Sequence, residues 1–324
     1  MNEIRWGIIG CGDVTENKSG PAFQKVPQSS LLAVMRRNEA LAADYARRHQ
    51  VPRYYGNAQA LIDDADINAV YIATAPDSHE SYCLAAMQAG KAVYVEKPMA
   101  LNYAAALRIQ QFAMAHDAKI SVAHYRNAQP FFEAIKNKLE NGAIGTVKEV
   151  QVLLQRPLLS TKELEHSGKK WRVDPAVSGG GLFHDLAPHQ LGLMLHYFGA
   201  ANWVQGRAYC TQHRYAAADR VEGEIQFANG VKLMGNWNFN ADESKDQCLI
   251  IGSRGSIRFS FFGPQNFCLL SGATNQEFSF QPPQHVQQPL IEKVVQYFLG
   301  HAANPVSVND GCRVMQWMEA MSAT

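Results

Sequence analysis

The sequence lacks an excess of charge of either sign. Its 30 Lys and Arg residues are matched by 29 Asp and Glu residues, which gives a formal net charge of +1 over 324 residues. Proteins that bind the phosphate backbone of nucleic acids need a clustered surplus of basic residues. A nucleic-acid partner is therefore not expected. With 47% hydrophobic residues and no low-complexity tract, the whole chain is expected to fold.

Paired cysteines and long apolar segments are also lacking. The chain contains no C-x-x-C pair, and no metal site is predicted. Its six scattered cysteines are expected to be reduced: Cys11, Cys83, Cys210, Cys248, Cys268 and Cys312. The N-terminus passes from Glu3 and Arg5 directly into an apolar run that is shorter than a signal-peptide core or a membrane span. Together these absences predict a cytoplasmic protein with no membrane partner.

The length of the chain and the rhythm of its apolar segments predict two domains. Up to residue 122, apolar runs of strand length alternate with helix-period segments, which is typical of parallel strands joined by helical crossovers. The predicted strands are Arg5–Ile9, Leu31–Met35, Ala69–Ala73, Ala92–Val95 and Lys119–Val122, and the predicted helices are Glu39–Arg48, His79–Gln88 and Tyr103–His116. Residues 1–122 are therefore predicted to form a doubly wound, parallel α/β sheet.

Residues 123–324 follow a different pattern, with longer segments of alternating hydrophobicity. The predicted strands are Val147–Leu154, Trp203–Gln212, Val221–Phe227, Val231–Phe239, Cys248–Ile251 and Ser256–Phe261. Asn229–Gly230 is a strong signal for a two-residue hairpin turn. Helical periodicity returns at Cys312–Met321, behind the start signal Asn309–Asp310. This region is predicted to be an α+β domain with a mostly antiparallel sheet, whose last helix packs on either domain.

A glycine-containing turn follows the first predicted strand. Residues 8–14 read Ile-Ile-Gly-Cys-Gly-Asp-Val, and glycines at this position let backbone N–H groups approach a pyrophosphate closely. The predicted cofactor contacts are Gly10, Cys11, Gly12, Asp13 and Val14. Thr15 stands where the third glycine of G-x-G-x-x-G would lie, so the dinucleotide fingerprint is incomplete. A purely structural tight turn is the alternative.

Two arginines follow the second predicted strand, at the position where NAD-preferring domains carry an acidic residue that binds the adenosine ribose. Guanidinium groups bind phosphate in a forked geometry, so Arg36 and Arg37 favour the 2′-phosphate of NADP. We therefore predict NADP(H) as the preferred cofactor, with NAD(H) possible. The alternative is that both arginines are solvated surface charges.

Several further motifs occur in one fixed order. They are Ile72–His79 (Ile-Ala-Thr-Ala-Pro-Asp-Ser-His), Glu96–Lys97–Pro98, Trp171–Arg172, Gly179–Gly180–Gly181 and the segment from Asp185 to His189. Together they resemble the glucose-fructose oxidoreductase and inositol 2-dehydrogenase family of NAD(P)-dependent oxidoreductases. The resemblance extends from Ile4 into the last predicted helix. It implies a Rossmann domain followed by an open-faced sheet that binds substrate and associates with further copies, as a homodimer or homotetramer.

Lys97 follows the apolar strand Ala92–Val95 and is separated from it by Glu96. This position is the edge where open parallel sheets bind ligands. A lysine there would lie beside the nicotinamide, so Lys97 is a predicted cofactor contact, and it can also hydrogen-bond a reacting oxygen or exchange a proton with it. The resemblance implies a cis Lys97–Pro98 bond that fixes the direction of the lysine, and it places Glu96 at the cofactor ribose. The alternative is a surface lysine that merely ends a strand.

Asp185 and His189 are four residues apart, so a helix over Leu182–Tyr197 would place both on one face. An imidazole with an intrinsic pKa of about 6.5 can trade a proton with a substrate near neutral pH. The resemblance also implies an aspartate and a histidine at these positions. We predict Lys97 and His189 as the proton-handling, substrate-binding pair, and Asp185 as a group that binds a substrate hydroxyl or orients the histidine. Which of the two donates the proton stays open.

The remaining candidates each have a packing role as the alternative. The resemblance gives cofactor contacts to Thr74, His79, Trp171 and Arg172. Tyr125 and Arg126 follow the fifth predicted strand and are predicted to bind substrate. Ala187 stands where the family pattern has glycine, and Pro188 after it could kink the helix. His184 is assigned no role.

The leading functional hypothesis is hydride transfer between NADP(H) and a carbonyl or secondary alcohol of a sugar, cyclitol or related polyol. The first alternative is glycoside hydrolysis through transient oxidation on a retained cofactor. The second is a non-catalytic dinucleotide-binding sensor, against which the presence of Lys97, Asp185 and His189 argues. The identity of the substrate and the direction of the reaction are left open.

Overall fold

The computed structural model describes residues 2–165, 170–212 and 214–322, and its contacts divide the chain into two units. The first unit comprises the chain up to Gln129 together with Pro283–Met315. The second comprises Pro130–Pro282 and the chain from Gln316 onward. The sequence suggested one boundary after residue 122, whereas these contacts also return a late segment to the first unit.

A six-stranded parallel sheet lies at the centre of the first unit, in the order β3-β2-β1-β4-β5-β6. Its strands are β1 Ile4–Ile9, β2 Ser29–Met35, β3 Arg53–Tyr55, β4 Ala69–Ile72, β5 Ala92–Val95 and β6 Ile120–Val122. The central strands β4 and β5 are short, apolar and buried along their whole length, as parallel strands covered on both faces are. The order reverses between β1 and β4, so ligand binding is expected where these two strands end. The Rossmann prediction is confirmed.

The helices begin and end where the sequence provides caps. In chain order, within the described residues, they are α1 Asp13–Asn17, α2 Glu39–His49, α3 Ala58–Ile62, α4 His79–Gln88, α5 Tyr103–Ala115, α6 Pro130–Glu140, α7 Thr161–Glu165, α8 Pro175–Ser178, α9 Gly181–Phe198, α10 Gln288–Leu299 and α11 Val308–Ser322. The side chains of Asn38 and Asn102 accept hydrogen bonds from first-turn N–H groups of α2 and α5. None of the helices that the structure describes is long and apolar enough to cross a membrane.

An eight-stranded sheet forms the second unit, in the order β14-β13-β12-β11-β7-β10-β9-β8. Its strands are β7 Val147–Gln155, β8 Ala201–Tyr209, β9 Arg220–Phe227, β10 Lys232–Asn238, β11 Lys245–Gly252, β12 Gly255–Phe259, β13 Asn266–Ser271 and β14 Thr274–Ser279. The pair β7 and β10 is parallel, and the other neighbours are antiparallel. The predicted hairpin joins β9 to β10, with Gly230 at a φ of 90°. The prediction of a large, mostly antiparallel sheet is confirmed.

Helix α9 covers one face of this sheet. Trp237 of β10 donates from its indole nitrogen to Gln190 Oε1 at 2.6 Å, and its ring lies 5.1 Å from that of Phe183. Phe198, at the end of α9, packs on Phe227 of β9. The strand residues of this face are buried, whereas those that alternate with them are half-buried or exposed on the opposite, open face.

The segment Pro283–Met315 completes the first unit. Five apolar side chains of α10 are buried: Leu290, Ile291, Val294, Val295 and Phe298. The Phe298 ring lies 5.6 Å from that of Trp6 in β1. Beyond α10, the carbonyl of Val306 accepts hydrogen bonds from Ser121 Oγ and from the Val122 amide of β6. A fully buried aliphatic or aromatic side chain contributes about 1.5–3 kcal/mol, so this segment supplies a large share of the core.

Candidate active site

The Gly10–Gly12 turn leaves β1 at the reversal of strand order. The amides of Gly10 and Cys11 both donate to the carbonyl of Met35, at 2.9 and 3.1 Å, which holds the turn against β2. Gly10 has a φ of 93°, and a Cβ at this position would lie only 2.7 Å from Thr74 Cγ2. Both the backbone conformation and the packing therefore require glycine at position 10.

The two requirements for glycine at position 10, backbone conformation and packing, do not apply to Gly12. Its φ of −150° and ψ of −156° are extended values that any residue adopts. A Cβ would meet no atom closer than Gly10 O, at 3.9 Å. Neither the protein backbone nor the protein packing therefore explains a glycine here. The predicted contact of Gly12 with a pyrophosphate stays a prediction, and the free space beside its Cα agrees with it.

Thr15 closes this turn from the position of the missing third glycine. Its side chain is fully buried, and its hydroxyl accepts from the Gly12 amide at 3.0 Å and lies 2.8 Å from the Gly12 carbonyl. The Thr15 carbonyl accepts from the Tyr45 hydroxyl at 2.8 Å. In the sequence Thr15 counted against the fingerprint, whereas in the structure it fastens the turn to α1 and α2.

An ion-pair cluster fastens the other end of α1 to α2. Glu16 accepts two hydrogen bonds from the Arg48 guanidinium, both at 2.7 Å, and its Oε2 lies 2.8 Å from His49 Nε2. Arg48 also donates to Asp44. The bonds from Arg48 lower the pKa of Glu16 to about 2. Because Arg48 is fully engaged with carboxylates, it is not a candidate for binding a cofactor phosphate.

Arg36 lies beside the Gly10–Gly12 turn. The strand register pairs Ile9 with Met35, so the residues that follow, Gly10 and Arg36, leave adjacent strands at the same level. Burial raises the pKa of the Cys11 thiol to about 11, and the nearby charge of Arg36 partly opposes this rise. Both Arg36 and Arg37 are exposed. Their predicted contact with a 2′-phosphate stays a prediction, and the position of Arg36 agrees with it.

Thr74 and His79 follow β4, on the other side of the strand-order reversal. Thr74 packs on Gly10, and its hydroxyl accepts from Ser78 Oγ at 2.8 Å. The His79 ring is fully buried, with Nε2 3.0 Å from the Thr74 carbonyl and Nδ1 2.9 Å from the Pro98 carbonyl. Burial lowers the pKa of His79, and a neutral imidazole donates to only one of these two carbonyls. The His79 ring thus joins the loops of Thr74 and Pro98, and its predicted cofactor contact stays a prediction.

Lys97 follows β5 at the same edge of the sheet. It is half-buried, and the Lys97–Pro98 peptide bond is cis, as the resemblance implies. The Lys97 amide donates to Glu96 Oε2 at 3.1 Å. Lys97 thus lies where open parallel sheets bind ligands, and its backbone is held by the preceding carboxylate.

The carboxylate of Glu96 is buried in a network of protein donors. It is 5% exposed, and its Oε1 accepts from the Tyr71 hydroxyl and from Gln287 Nε2, both at 2.6 Å. Gln287 also accepts from the Tyr94 hydroxyl at 3.1 Å. The predicted contact of Glu96 with the cofactor ribose stays a prediction. Gln287 was missed in the sequence because no local motif marks a lone glutamine 191 residues away.

Tyr125 and Arg126 lie in a short 3-10 turn, Tyr125–Ala128, that follows β6. They are 7% and 8% exposed, and the Arg126 guanidinium lies 5.3 Å from the centre of the Tyr125 ring. Their predicted role in substrate binding stays a prediction.

The remaining predicted residues lie in the second unit. Helix α9 includes the predicted range Leu182–Tyr197 and continues through Pro188 without a break. Asp185 and His189 lie one turn apart on it. Asp185 Oδ2 accepts from Arg172 Nε at 3.1 Å, and the Arg172 guanidinium stacks 4.9 Å from the centre of the Trp171 ring. The structure thus joins Arg172, predicted at the cofactor, to Asp185, predicted at the substrate.

Two glycines of the Gly179–Gly181 triplet allow close packing at the start of α9. A Cβ on Gly180 would collide with the ring of His184, and Gly181, with a φ of 77°, packs on Ala217. His184 is buried, and burial lowers its pKa to about 4, so it is neutral at physiological pH. This agrees with the absence of a predicted role. His189 is 7% exposed, and its ring lies 5.8 Å from that of Phe262.

The described part of the chain contains no group of three or more His, Cys, Asp or Glu residues arranged to hold a metal ion. The six cysteines are free, without disulfides among them.

Comparison with known proteins agrees with this arrangement. Residues 4–124 match the model of an oxidoreductase family with an NAD-binding Rossmann fold, and residues 132–258 match the GFO/IDH/MocA C-terminal domain. The chain is 45% identical to oxidoreductase P35 of Formosa agariphila, over 100% of this chain and 99% of that protein. It is 28% identical to trans-1,2-dihydrobenzene-1,2-diol dehydrogenase of Bos taurus, over 70% of this chain and 66% of that protein.

Among solved structures, a levoglucosan dehydrogenase in complex with NADH and levoglucosan superimposes with a TM-score of 0.83. The superposition covers 98% of this chain and 96% of that chain, at 21% sequence identity. At this identity the likeness concerns the fold.

Proposed function

This chain belongs to the GFO/IDH/MocA family of NAD(P)-dependent oxidoreductases, and from that membership we propose that it interconverts a secondary alcohol and a carbonyl on a sugar, cyclitol or related polyol. The observation that carries the proposal is the position of Lys97 at the end of β5, at the ligand-binding edge that begins with the Gly10–Gly12 turn. Asp185 and His189, one turn apart on α9, supply further groups that bind and exchange protons.

The cofactor, when bound, supplies the hydride chemistry at its nicotinamide. Residues of the first unit bind the cofactor and position Lys97. The glycines of the Gly10–Gly12 turn leave the first N–H groups of α1 accessible to the pyrophosphate. Glu96 and Gln287, both buried, fix the backbone from which Lys97 projects.

Proton exchange with the substrate oxygen is assigned to Lys97 and His189, and the order in which they act stays open. In this assignment, Lys97 hydrogen-bonds the reacting oxygen and His189 takes or returns its proton. Asp185 accepts a hydrogen bond from Arg172 Nε, and its carboxylate oxygens have further capacity to accept a bond from a substrate hydroxyl or from an imidazole N–H.

A preference for NADP(H) over NAD(H) belongs to the same proposal. It is supported by the exposed guanidinium of Arg36 beside the turn, where a 2′-phosphate would accept a forked pair of hydrogen bonds. The Arg36→Gln variant should lose on the order of tenfold to a hundredfold in kcat/KM for NADP⁺ and change little for NAD⁺. Arg47→Gln, on the exposed face of α2, is the matched control. A wild type that prefers NAD⁺ would contradict this part alone.

We also propose a cytoplasmic enzyme that associates with further copies of itself through the sheet of the second unit. Six free cysteines support a reducing compartment. The exposed side chains of Trp203, Tyr209 and Leu270 on this sheet support self-association. Light scattering after size exclusion would test the oligomeric state, and a monomer at micromolar concentration would contradict it.

The central experiment is a substrate screen with the purified full chain. Sugars, cyclitols and anhydro-ketoses are offered with NADP⁺ or NAD⁺ in one direction and with the reduced cofactors in the other, and the nicotinamide absorbance is followed. We expect turnover with at least one member of the polyol class. Cofactor binding without turnover of any of these compounds would contradict the proposed reaction.

A further inference from the structure

One arginine outside the predicted site lies on the covered face of the sheet in the second unit. In β7 the residues Val150, Val152 and Leu154 are buried, and those between them are exposed or half-buried on the open face. Arg156 is next in this alternation, directly after the strand ends. A charged side chain thus occupies a register position of the face that α9 covers, where the sequence pattern calls for an apolar residue.

The backbone of Arg156 is fixed, but its guanidinium has no hydrogen-bond or ion-pair partner within the described residues. Its amide donates to Asn238 O at 2.8 Å, and its carbonyl accepts from the Ala241 amide at 3.1 Å. Among residues 2–165, 170–212 and 214–322, no carboxylate lies within ion-pair distance of the guanidinium, and its buried Nε lacks a hydrogen-bond partner. Buried guanidinium nitrogens are normally paired, so the unpartnered Nε of this half-buried side chain is consistent with the binding of an external anion.

Phe262 connects Arg156 to His189. The Phe262 ring centre lies 5.7 Å from the Arg156 Cζ, over which the ring stacks, and 5.8 Å from the centre of the His189 ring. The Phe262 loop is itself anchored, because Asp246 accepts hydrogen bonds from the amides of Phe261 and Phe262 at 3.2 and 2.5 Å. Arg156 therefore stands one aromatic ring away from the histidine assigned to proton exchange.

Two acidic groups of the second unit, Asp185 and Asp246, already have partners among the described residues. Arg172 and Asp185 neutralise each other. Asp246 is satisfied by two backbone amides and forms no ion pair within the described residues. The positive charge of Arg156 is left without a counter-charge, and a carboxylate is the group that a guanidinium binds in a planar, two-bond geometry.

We propose that Arg156 binds the carboxylate of the substrate, so that the chain acts on acidic sugars or polyols, such as uronates and aldonates, in preference to their neutral counterparts. This inference rests on the proposed function and narrows its substrate class. Arg156 is a binding residue here, and the proton exchange stays with Lys97 and His189.

Matched pairs of ligands test the inference. Glucose and glucuronate, galactose and galacturonate, and mannose and mannuronate differ in one carboxylate each. Binding is measured by calorimetry on the full chain saturated with oxidised cofactor, and turnover is measured by nicotinamide absorbance. We expect at least one acid to bind at least tenfold more tightly than its neutral partner. The Arg156→Gln variant should lose that factor for the acid and stay within about threefold of wild type for the neutral sugar.

Lys148→Gln is the control, because Lys148 is exposed at the opposite end of the same strand and the variant removes the same charge. The inference is overturned if no acid of the panel binds more tightly than its neutral partner, or if Arg156→Gln weakens both members of a pair equally. Unequal binding without turnover of any compound would count against the proposed reaction and leave the carboxylate site standing. An Arg156→Lys variant that keeps part of the affinity for the acid would confirm that the positive charge at position 156 binds the carboxylate.

Discussion

The two glycines of the Gly10–Gly12 turn differ in what makes glycine necessary at each position. Gly10 is required by its own backbone conformation and by Thr74, whereas Gly12 is required by nothing in the protein. The motif in the sequence marks both glycines alike. The structure assigns Gly10 to the stability of the fold and leaves Gly12 as the candidate for cofactor affinity. The sequence predicted the turn correctly, but the hydroxyl of Thr15, which fastens it, read as a departure from the pattern.

The two glycines predict opposite outcomes for the same substitution. Gly12→Ala should leave the midpoint of thermal unfolding unchanged and weaken NADP⁺ binding by roughly tenfold or more, because the methyl group takes up the space left for the pyrophosphate. Gly10→Ala should lower the free energy of unfolding by about 2 kcal/mol or more, from the left-handed backbone and the contact with Thr74. Calorimetry and fluorescence titration measure the two effects. Equal loss of stability in both variants would contradict this assignment.

Lys97 and His189 carry the catalytic part of the proposal. Lys97→Ala and His189→Gln should each lower kcat by about 10²–10⁴-fold, the usual contribution of a positioned acid or base, and should change the cofactor Kd by less than about threefold. Lys148→Gln and His301→Gln, at exposed positions, are the controls for removing the same side-chain types. Steady-state kinetics on the best substrate of the screen measures the loss. Wild-type turnover in either site variant would remove that residue from the mechanism.

Arg156 shows what sequence reasoning could have found. The alternation over β7 continues to position 156, so its register on the covered face follows from the sequence once the strand is recognised. Its lack of a partner does not, because that depends on side chains from β11, α9 and the Phe262 loop. Local pattern gives the direction of a side chain, and long-range packing gives its neighbours.

At the scale of elements, the sequence predicted most of the strands but missed several segments, some of them buried. The bounds of β5 and α4 were predicted as the structure has them, since apolar residues or helical period mark them fully. Strands β3, β13 and β14 and helices α6 and α10 are among the elements that were missed. Strand β3 has only three residues, and β14 is polar and exposed along most of its length, so neither carries a hydrophobic pattern that marks a strand. Both lie at an edge of their sheet, where hydrogen bonds to one neighbouring strand hold them.

Helix α1 is another short element that owes its stability to partners. Its five residues form too short a helix to be stable alone, and its C-terminal part is held by the Glu16–Arg48–His49 cluster. The segment 285–287 holds the chain just beyond it, because His285 Nδ1 donates to Asn17 O at 2.7 Å and the Gln287 amide donates to Lys18 O at 3.1 Å.

The Glu16 cluster predicts a pH-dependent contribution to stability. The pKa of Glu16 is lower in the folded chain, at about 2, than its ordinary value of 4.5. The ionised group therefore stabilises the fold fully above about pH 5, and this contribution is lost as the pH falls from about 4.5 through about 2. Glu16→Gln should cost about 1–2 kcal/mol at pH 7, after allowance for solvent screening, and much less at pH 3. Urea unfolding at both pH values measures it. A difference that does not shrink with pH would contradict an ionic origin.

At the scale of the whole molecule, the first unit is built from two separate stretches of chain. Its parallel sheet was predicted from the first 122 residues, but α10 and the contacts of Val306 with β6 come from Pro283–Met315. Nothing in the amphipathic pattern of α10 says which sheet it covers. The assignment of this segment needed the three-dimensional structure.

This organisation predicts how fragments behave. Residues 1–129 alone should show no cooperative unfolding transition, because the buried face of α10 and the partner of Glu96 are missing. The same residues joined by a flexible Gly/Ser linker to 283–315 should unfold cooperatively and be stabilised by NADP⁺. Circular dichroism during heating measures both. Cooperative unfolding of 1–129 alone would show that α10 is dispensable.

The hydrogen bond between Glu96 and Gln287 has a consequence for biosynthesis. The two residues are 191 positions apart, so a ribosome that has finished the entire parallel sheet must still translate Pro130–Pro282 before the carboxylate can meet its amide. We expect the nascent enzyme to acquire dinucleotide affinity only near the end of translation. A prematurely terminated chain would then emerge as an apo-protein with exposed core, a form that cellular proteases and chaperones distinguish from the finished molecule.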